Sequence, residues 1–242
     1  MKIKFLAFLG GRPLDDKQVY WQWRDFWRLY GLYVSIQIVM SIFLSQILRR
    51  TFLLSFIDAG SIVYAVSLLM LIPFVRHYEF WPSLSYLGAT LIDFQKFWKV
   101  GVVYGLVLRV APLAPVLVVV LIMQLGGQMP YLPDNNPVMG HAVFSFSWFL
   151  GALRGVVFAP VVEEYFYRGL LYPLLRLRWG VRSAILFSSV LFGVMHGVNL
   201  LGFWAVFGGI GFAVAYEHTG KLATPIVAHF IVNAIATVLG SI

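Results

Sequence analysis

The sequence predicts an all-α protein, a polytopic bundle of about seven transmembrane helices, and three observations lead there. Only 12% of the 242 residues are charged while 60% are hydrophobic and 17% aromatic, against roughly 25% charged in a soluble domain. A single water-soluble core cannot hide that much apolar surface. The apolar residues fall into runs of about 20, the length that crosses a bilayer as a helix. The basic residues, which give a formal net charge of +8, lie at the ends of those runs, where they set orientation. They form no stripe of the kind that binds nucleic acid.

In chain order, residues 1–28 carry Lys2, Lys4, Arg12, Lys17, Arg24 and Arg28 among aromatics. The apolar piece FLAFLGG is too short, and too soon followed by charge, for a signal peptide. This segment is read as cytoplasmic and interfacial. A charge-free run from Leu29 to Leu48 makes the first span, closed by Arg49 and Arg50, and a second runs from about Ala59 to Val75. Residues 76–99 mix Trp, Tyr and Lys in the manner of an interfacial helix. A third span is expected from about Val100 to Leu125, interrupted by Arg109, Pro112 and Pro115.

The loop GGQMPYLPDNNP, residues 126–137, marks a turn region and the boundary between two parts of the chain. Residues 1–140 are assigned to the interfacial segment and three accessory spans, and residues 141–242 to a helical core. From Val138 to Leu175 the chain is apolar except for Arg154, Glu163, Glu164 and Arg168. As one helix this stretch would be about 57 Å long, too long for one crossing, so a break or a flat-lying piece is expected. Taking the fourth span as Arg154 to Leu175, the last three run from about Ser183 to Gly197, Asn199 to Tyr216 and Leu222 to Ile242. The amino terminus and the loops 76–99, 176–182 and 217–221 then share the strongly basic side, which the positive-inside rule places in the cytoplasm. A prokaryotic plasma membrane is the expected location.

Within this apolar chain, EEYFYRG (Glu163 to Gly169) places two carboxylates and an arginine at membrane depth. Intramembrane ionisable groups are functional candidates. Glu163 lies 13 residues before Arg176 and His196 lies 14 after Arg182. If RLRWGVR is the turn of a helical hairpin, both side chains stand about 20 Å up their helices and can meet. Glu164 and Arg168, four apart, stack as an ion pair that ties helices together; His229 and Asn233 share one face of the last span, and Phe192 and His196 repeat the spacing. A buried Glu, two His and an Asn offer a base for activating water and neutral donors for an oxyanion. His77, His141 and His218 sit near loops or span ends and are read as solvated or interfacial. Arg109 and Arg154 are assigned to helix–helix hydrogen bonding or snorkelling, and the Gly-rich GFWAVFGGIGF (202–212) to close helix packing.

These residues resemble a family. EEYFYRG is similar to the EExxxR motif of the CAAX protease and bacteriocin-processing family of glutamate-dependent intramembrane endopeptidases. FGVMH (192–196) is similar to its FxxxH motif and HFIVN (229–233) to its HxxxN motif. The trio occurs in order, and the resemblance covers about residues 155–240. It implies a CAAX-protease-like core in which Glu163 is the general base, His196 assists it, and His229 and Asn233 stabilise the tetrahedral intermediate. Glu164 and Arg168, with Phe192, would then support the site. The partners it implies are a membrane-anchored protein or peptide and the bilayer, with no cofactor, no metal and no nucleic acid; oligomeric state is not readable.

The chain has no cysteine, which excludes thiol catalysis, disulfides and thiolate metal sites. HExxH, GxGD and a serine in a GxSG setting are also missing. Three other readings stay open: a non-proteolytic immunity or scaffold protein of the same fold, a transporter using Glu163 and His196 as a proton relay, and a zinc protease with Glu163, His196 and His229 as ligands.

Overall fold

A computed structural model describes residues 19–77, 82–111, 121–122, 124–126 and 145–239, and its regular structure among them is entirely helical. Helix α1 (Trp23–Phe52) starts where the Asp25 carboxylate accepts the Gln22 backbone N–H at 2.9 Å, and ends with Arg49 and Arg50 in its last turn. Those charges oppose the negative end of the helix dipole. Helix α2 (Phe56–His77) is opened by Ser55, whose hydroxyl accepts the Asp58 N–H at 3.1 Å and donates to its carboxylate at 2.7 Å.

Helix α3 (Leu91–Val110) corrects the expected boundary at Val100. The Thr90 hydroxyl accepts the Asp93 N–H at 3.1 Å, while Asp93 accepts the Thr90 N–H at 3.1 Å and its hydroxyl at 2.6 Å. This reciprocal cap starts the helix within the stretch read as interfacial. Lys221 lies 3.2 Å from the same carboxylate. The amino terminus to residue 18, Pro112 and Pro115, the loop from 127 to 137 and His141 lie outside the described residues, as does the side chain of His77.

The break expected between Val138 and Leu175 is not in the helix carrying Glu163, which starts at Phe146; residues 138–144 lie outside the described residues. Ser145 caps α4 (Phe146–Ala152), which continues through a π turn (Leu153–Phe158), α5 (Ala159–Glu164), a second π turn (Tyr165–Leu171) and α6 (Tyr172–Met195). Prolines explain the widened turns. Each π turn ends two residues before one, at Pro160 and Pro173. A proline lacks an N–H, and its ring crowds the carbonyl four residues back. Lengthening the ladder to five residues, as Ala159 N–H does to Arg154 O and Tyr172 N–H to Tyr167 O, relieves the crowding while keeping the helix continuous. The chain turns back inside α6 at Gly180 (φ 75°, ψ 173°), a backbone conformation open to glycine at little cost. Rings at Tyr167 and Phe192, on opposite sides of this turn, meet edge to face at 5.1 Å.

Asn199 caps α7 (Leu200–Thr219), Gly220 (φ 63°) ends it, and α8 (Ala223–Leu239) follows. Three glycines seat these helices. A Cβ on Gly193 would lie 2.6 Å from the Gly202 carbonyl, so α7 packs close on the second arm of α6. Cβ atoms on Gly101 and Gly105 would come within 2.9 Å of the Thr224 carbonyl and 2.7 Å of the Ala228 carbonyl, so α3 lies close along α8. Backbone bonds from Leu222 N–H to Leu87 O (2.9 Å) and Ala223 N–H to Gly88 O (3.0 Å) fix the start of α8. Among the described residues, Trp23–Phe52 and the Phe146–Met195 run are long and apolar enough to cross a membrane, with Asp58–Leu71 and Ala223–Leu239 as shorter apolar helices.

Candidate active site

Glu163 and Glu164 end α5, immediately before the second π turn. Adjacent residues on a helix face different ways, and these two carboxylates enter different environments. Glu164 is fully buried and receives Arg168 Nη1 at 3.0 Å and His229 Nδ1 at 2.9 Å. Arg168, also fully buried, donates through Nη2 to the Gly209 carbonyl at 2.8 Å. Its guanidinium lies over the rings of Phe192 (4.6 Å) and Phe212 (5.4 Å). Charge pairing and ring faces together compensate a cation held away from water.

Glu163 is a quarter exposed, yet its Oε2 is buried and makes no hydrogen bond. Facing that oxygen are Nε2 of His196 at 3.6 Å and Nε2 of His229 at 3.9 Å. The hairpin thus brings together the Glu and His that sequence depth paired. The tautomers follow from the other ring nitrogens. His196 Nδ1 lies 2.8 Å from the Phe192 carbonyl, which can only accept, so Nδ1 carries the proton. His229 Nδ1 likewise donates to the Glu164 carboxylate. In their neutral forms both imidazoles therefore turn an Nε2 lone pair toward Glu163.

Phe192 stands at the centre of the aromatic packing, 4.5 Å from the His196 ring and 5.8 Å from that of His229. Phe212, which the sequence reading did not single out, stacks on His229 at 4.5 Å and 18°. It belongs to the Gly-rich 202–212 segment, read only as packing, and no motif marks it. Within that segment, a Cβ on Gly209 would crowd Ser189 and Arg168 Nη2 at 3.0 and 3.2 Å, so glycine there admits the arginine.

Asn233 shares α8 with His229, but its side-chain amide donates to the Gly155 carbonyl of the first π turn at 2.8 Å. Arg154 reaches α2, its Nη1 lying 3.5 Å from where a Cβ on Gly60 would stand, in line with a helix–helix role. His218 departs from its expected solvated setting. It is buried at the end of α7 against α3, with Nδ1 3.1 Å from the Tyr104 hydroxyl.

No curated protein and no solved structure matches the chain. One family does, over the helices that carry Glu163, His196, His229 and Asn233: residues 145–235 match the family model described as type II CAAX prenyl endopeptidase Rce1-like, and this stretch is an Rce1-like domain.

Proposed function

We propose that the chain is an intramembrane endopeptidase in which Glu163 activates water to cleave a membrane-anchored protein or peptide near the cytoplasmic face. The observation carrying this reading is the buried, unbonded Oε2 of Glu163 facing two imidazole Nε2 atoms. Its separations from them are too long for direct hydrogen bonds and suit a small polar molecule held among all three. Glu163 removes a proton from water as the oxygen attacks the scissile carbonyl, and later delivers that proton to the departing amine. His196, oriented by the Phe192 carbonyl, accepts a hydrogen bond from the same water. Asn233 supports the tetrahedral intermediate by donating its remaining amide hydrogen to the oxyanion, and His229, whose Nε2 is an acceptor, helps to hold the water and the hydroxyl it becomes. Glu164 and Arg168 hold His229 in its tautomer, and Phe192 separates the ion pair from the reacting face.

Residues 141–242 form the catalytic core in this reading, and residues 1–140 an accessory part. The bundle is multi-pass with its amino terminus in the cytoplasm of a prokaryote. A prenylated CAAX-type substrate is the class that the Rce1-like match favours. No cofactor takes part. A zinc site would use the same Glu and two His, whose Nε2 atoms lie 3.6 and 3.9 Å from the Glu163 carboxylate, and the chelator experiment separates that reading from this one.

Purified protein in lipid nanodiscs, given a quenched fluorescent peptide ending in a farnesylated CAAX sequence, should cut it beside the prenylated cysteine, with products identified by mass spectrometry. Prolonged treatment with a strong chelator should leave the rate unchanged. Lost activity that returns with zinc would establish the metal reading, and a folded wild-type protein that cuts nothing would favour the non-proteolytic scaffold.

A further inference from the structure

Two ion pairs gather one end of the bundle. Glu217, near the end of α7, accepts Arg176 Nε at 2.8 Å and Nη2 at 3.0 Å, and the Tyr172 hydroxyl at 2.9 Å. Four residues on, Lys221 lies 3.2 Å from Asp93 in the first turn of α3. These contacts bring the first arm of α6 and the start of α3 to the α7–α8 turn, and they neutralise both carboxylates. The α6 turn just beyond Arg176 has no such compensation. Arg178 and Arg182, on either side of Gly180, are exposed, and neither forms an ion pair among the described residues. The sequence holds no carboxylate between Glu164 and Glu217.

Between the two arginines stands Trp179, 50% exposed, its ring 5.2 Å from Phe187 and 6.0 Å from the Arg178 guanidinium. Leu177, Leu186 and Phe187 of the same two arms are also about half exposed. On α3, Lys99 lies over the exposed Trp98 at 5.8 Å, so a second cation beside a ring faces outward at this end. A guanidinium presents a planar fork of donors that matches phosphate oxygens. Tryptophan belongs at the boundary where hydrocarbon meets headgroups. An acidic protein surface would satisfy the arginines but leave the adjoining leucines and rings uncovered. A phospholipid brings phosphate and hydrocarbon together, in the same order as the turn offers its cations and its apolar sides. Two uncompensated cations further select a headgroup that carries no cation of its own.

We propose that the Arg178–Arg182 turn binds the phosphate of an anionic phospholipid, with Trp179 and Phe187 against the upper part of its acyl chains. The inference rests on the bilayer reading of the chain and not on proteolysis. It assigns this basic turn a ligand, beyond its part in setting orientation.

The test is a lipid titration of the full chain in mild detergent, followed by native mass spectrometry, with dioleoylphosphatidylglycerol and dioleoylphosphatidylcholine as the probes. Wild type should bind the glycerol lipid roughly 30-fold more tightly than the choline lipid, at about 5-fold for each arginine. Arg178→Gln with Arg182→Gln should bring the two affinities together without a fall in Tm, because both side chains are exposed and hold no ion pair. Arg50→Gln, at the far end of α1, should leave the preference intact. Equal affinities in wild type, or a preference that survives the double substitution, would overturn the inference. Soluble hexaglutamate that displaces the glycerol lipid and depends on the same arginines would assign the turn to an acidic protein partner and overturn it too. None of these outcomes reads peptide cleavage, so the endopeptidase reading stands or falls separately.

Discussion

Asn233 donates its side-chain amide to the Gly155 carbonyl at 2.8 Å, joining α8 to the first π turn at a carbonyl that its own helix leaves unpaired. Ala159 N–H, its ordinary α-helical donor, bonds Arg154 instead, and the next residue, Pro160, has no N–H to offer. The polar residue of HxxxN is therefore used in repairing a proline-widened helix. That repair also fixes the rotation of the segment carrying Glu163 relative to the helix carrying His229.

Asn233→Ala should accordingly cost about 1–3 kcal/mol of stability by leaving a part-buried carbonyl unpaired. In a Pro160→Ala background, where residue 160 regains an N–H, the same substitution should cost less. Thermal unfolding of the four proteins of this cycle measures the coupling. Equal costs in both backgrounds would show that the Gly155 contact carries no stability.

The two adjacent glutamates should separate cleanly. Glu164→Gln leaves Arg168 buried without its counter-charge and should destabilise the fold by about 3–5 kcal/mol. Glu163 has no charge partner of that kind, so Glu163→Gln should keep the wild-type Tm. Unfolding in one detergent, followed by circular dichroism, compares them directly.

Gly105 sets the distance between α3 and α8. A methyl group there would approach the Ala228 carbonyl and the Ile231 side chain to 2.7 Å, next to His229. Gly105→Ala should cost about 1–3 kcal/mol through overpacking and lower kcat by displacing His229. A variant with wild-type Tm and turnover would show that α3 does not hold α8 in place.

Asp93 gives a pH dependence whose sign is fixed. Burial raises its pKa, but the hydrogen bonds from Thr90 and Lys221, with the lysine's charge, outweigh this and hold it below 3.8. A carboxylate with a depressed folded pKa adds stability that is complete above its unfolded value and disappears as pH falls through the folded one. Wild type should exceed Asp93→Asn in stability at pH 6, and the gap should close in acid as pH falls below 3.8 through the depressed folded value. A gap that persists in acid would place the stabilisation elsewhere.

The Glu164–Arg168 ion pair and the Glu163–His196 meeting were legible in the sequence because helical spacing and depth fix them. The π turns were not. Their cause, a proline placed two residues beyond each, is visible in FAPVVEEYFYRGLLYP, but a proline in a helical pattern reads equally as a break. The start of α3 was also legible in retrospect, since TLID spells the reciprocal Thr90–Asp93 cap, yet the surrounding Trp and Lys pointed to an interface. Burial of His218 against Tyr104 and stacking of Phe212 on His229 depend on which helices pack together. Period and hydropathy do not encode that.

The central claim is that Glu163 is the base. The direct test is kcat for Glu163→Gln against wild type, both folded with equal Tm, in nanodiscs with chelator present. The glutamine keeps size and hydrogen bonding but cannot take a proton from water, and the account predicts a fall of several orders of magnitude. Turnover equal to wild type would contradict it.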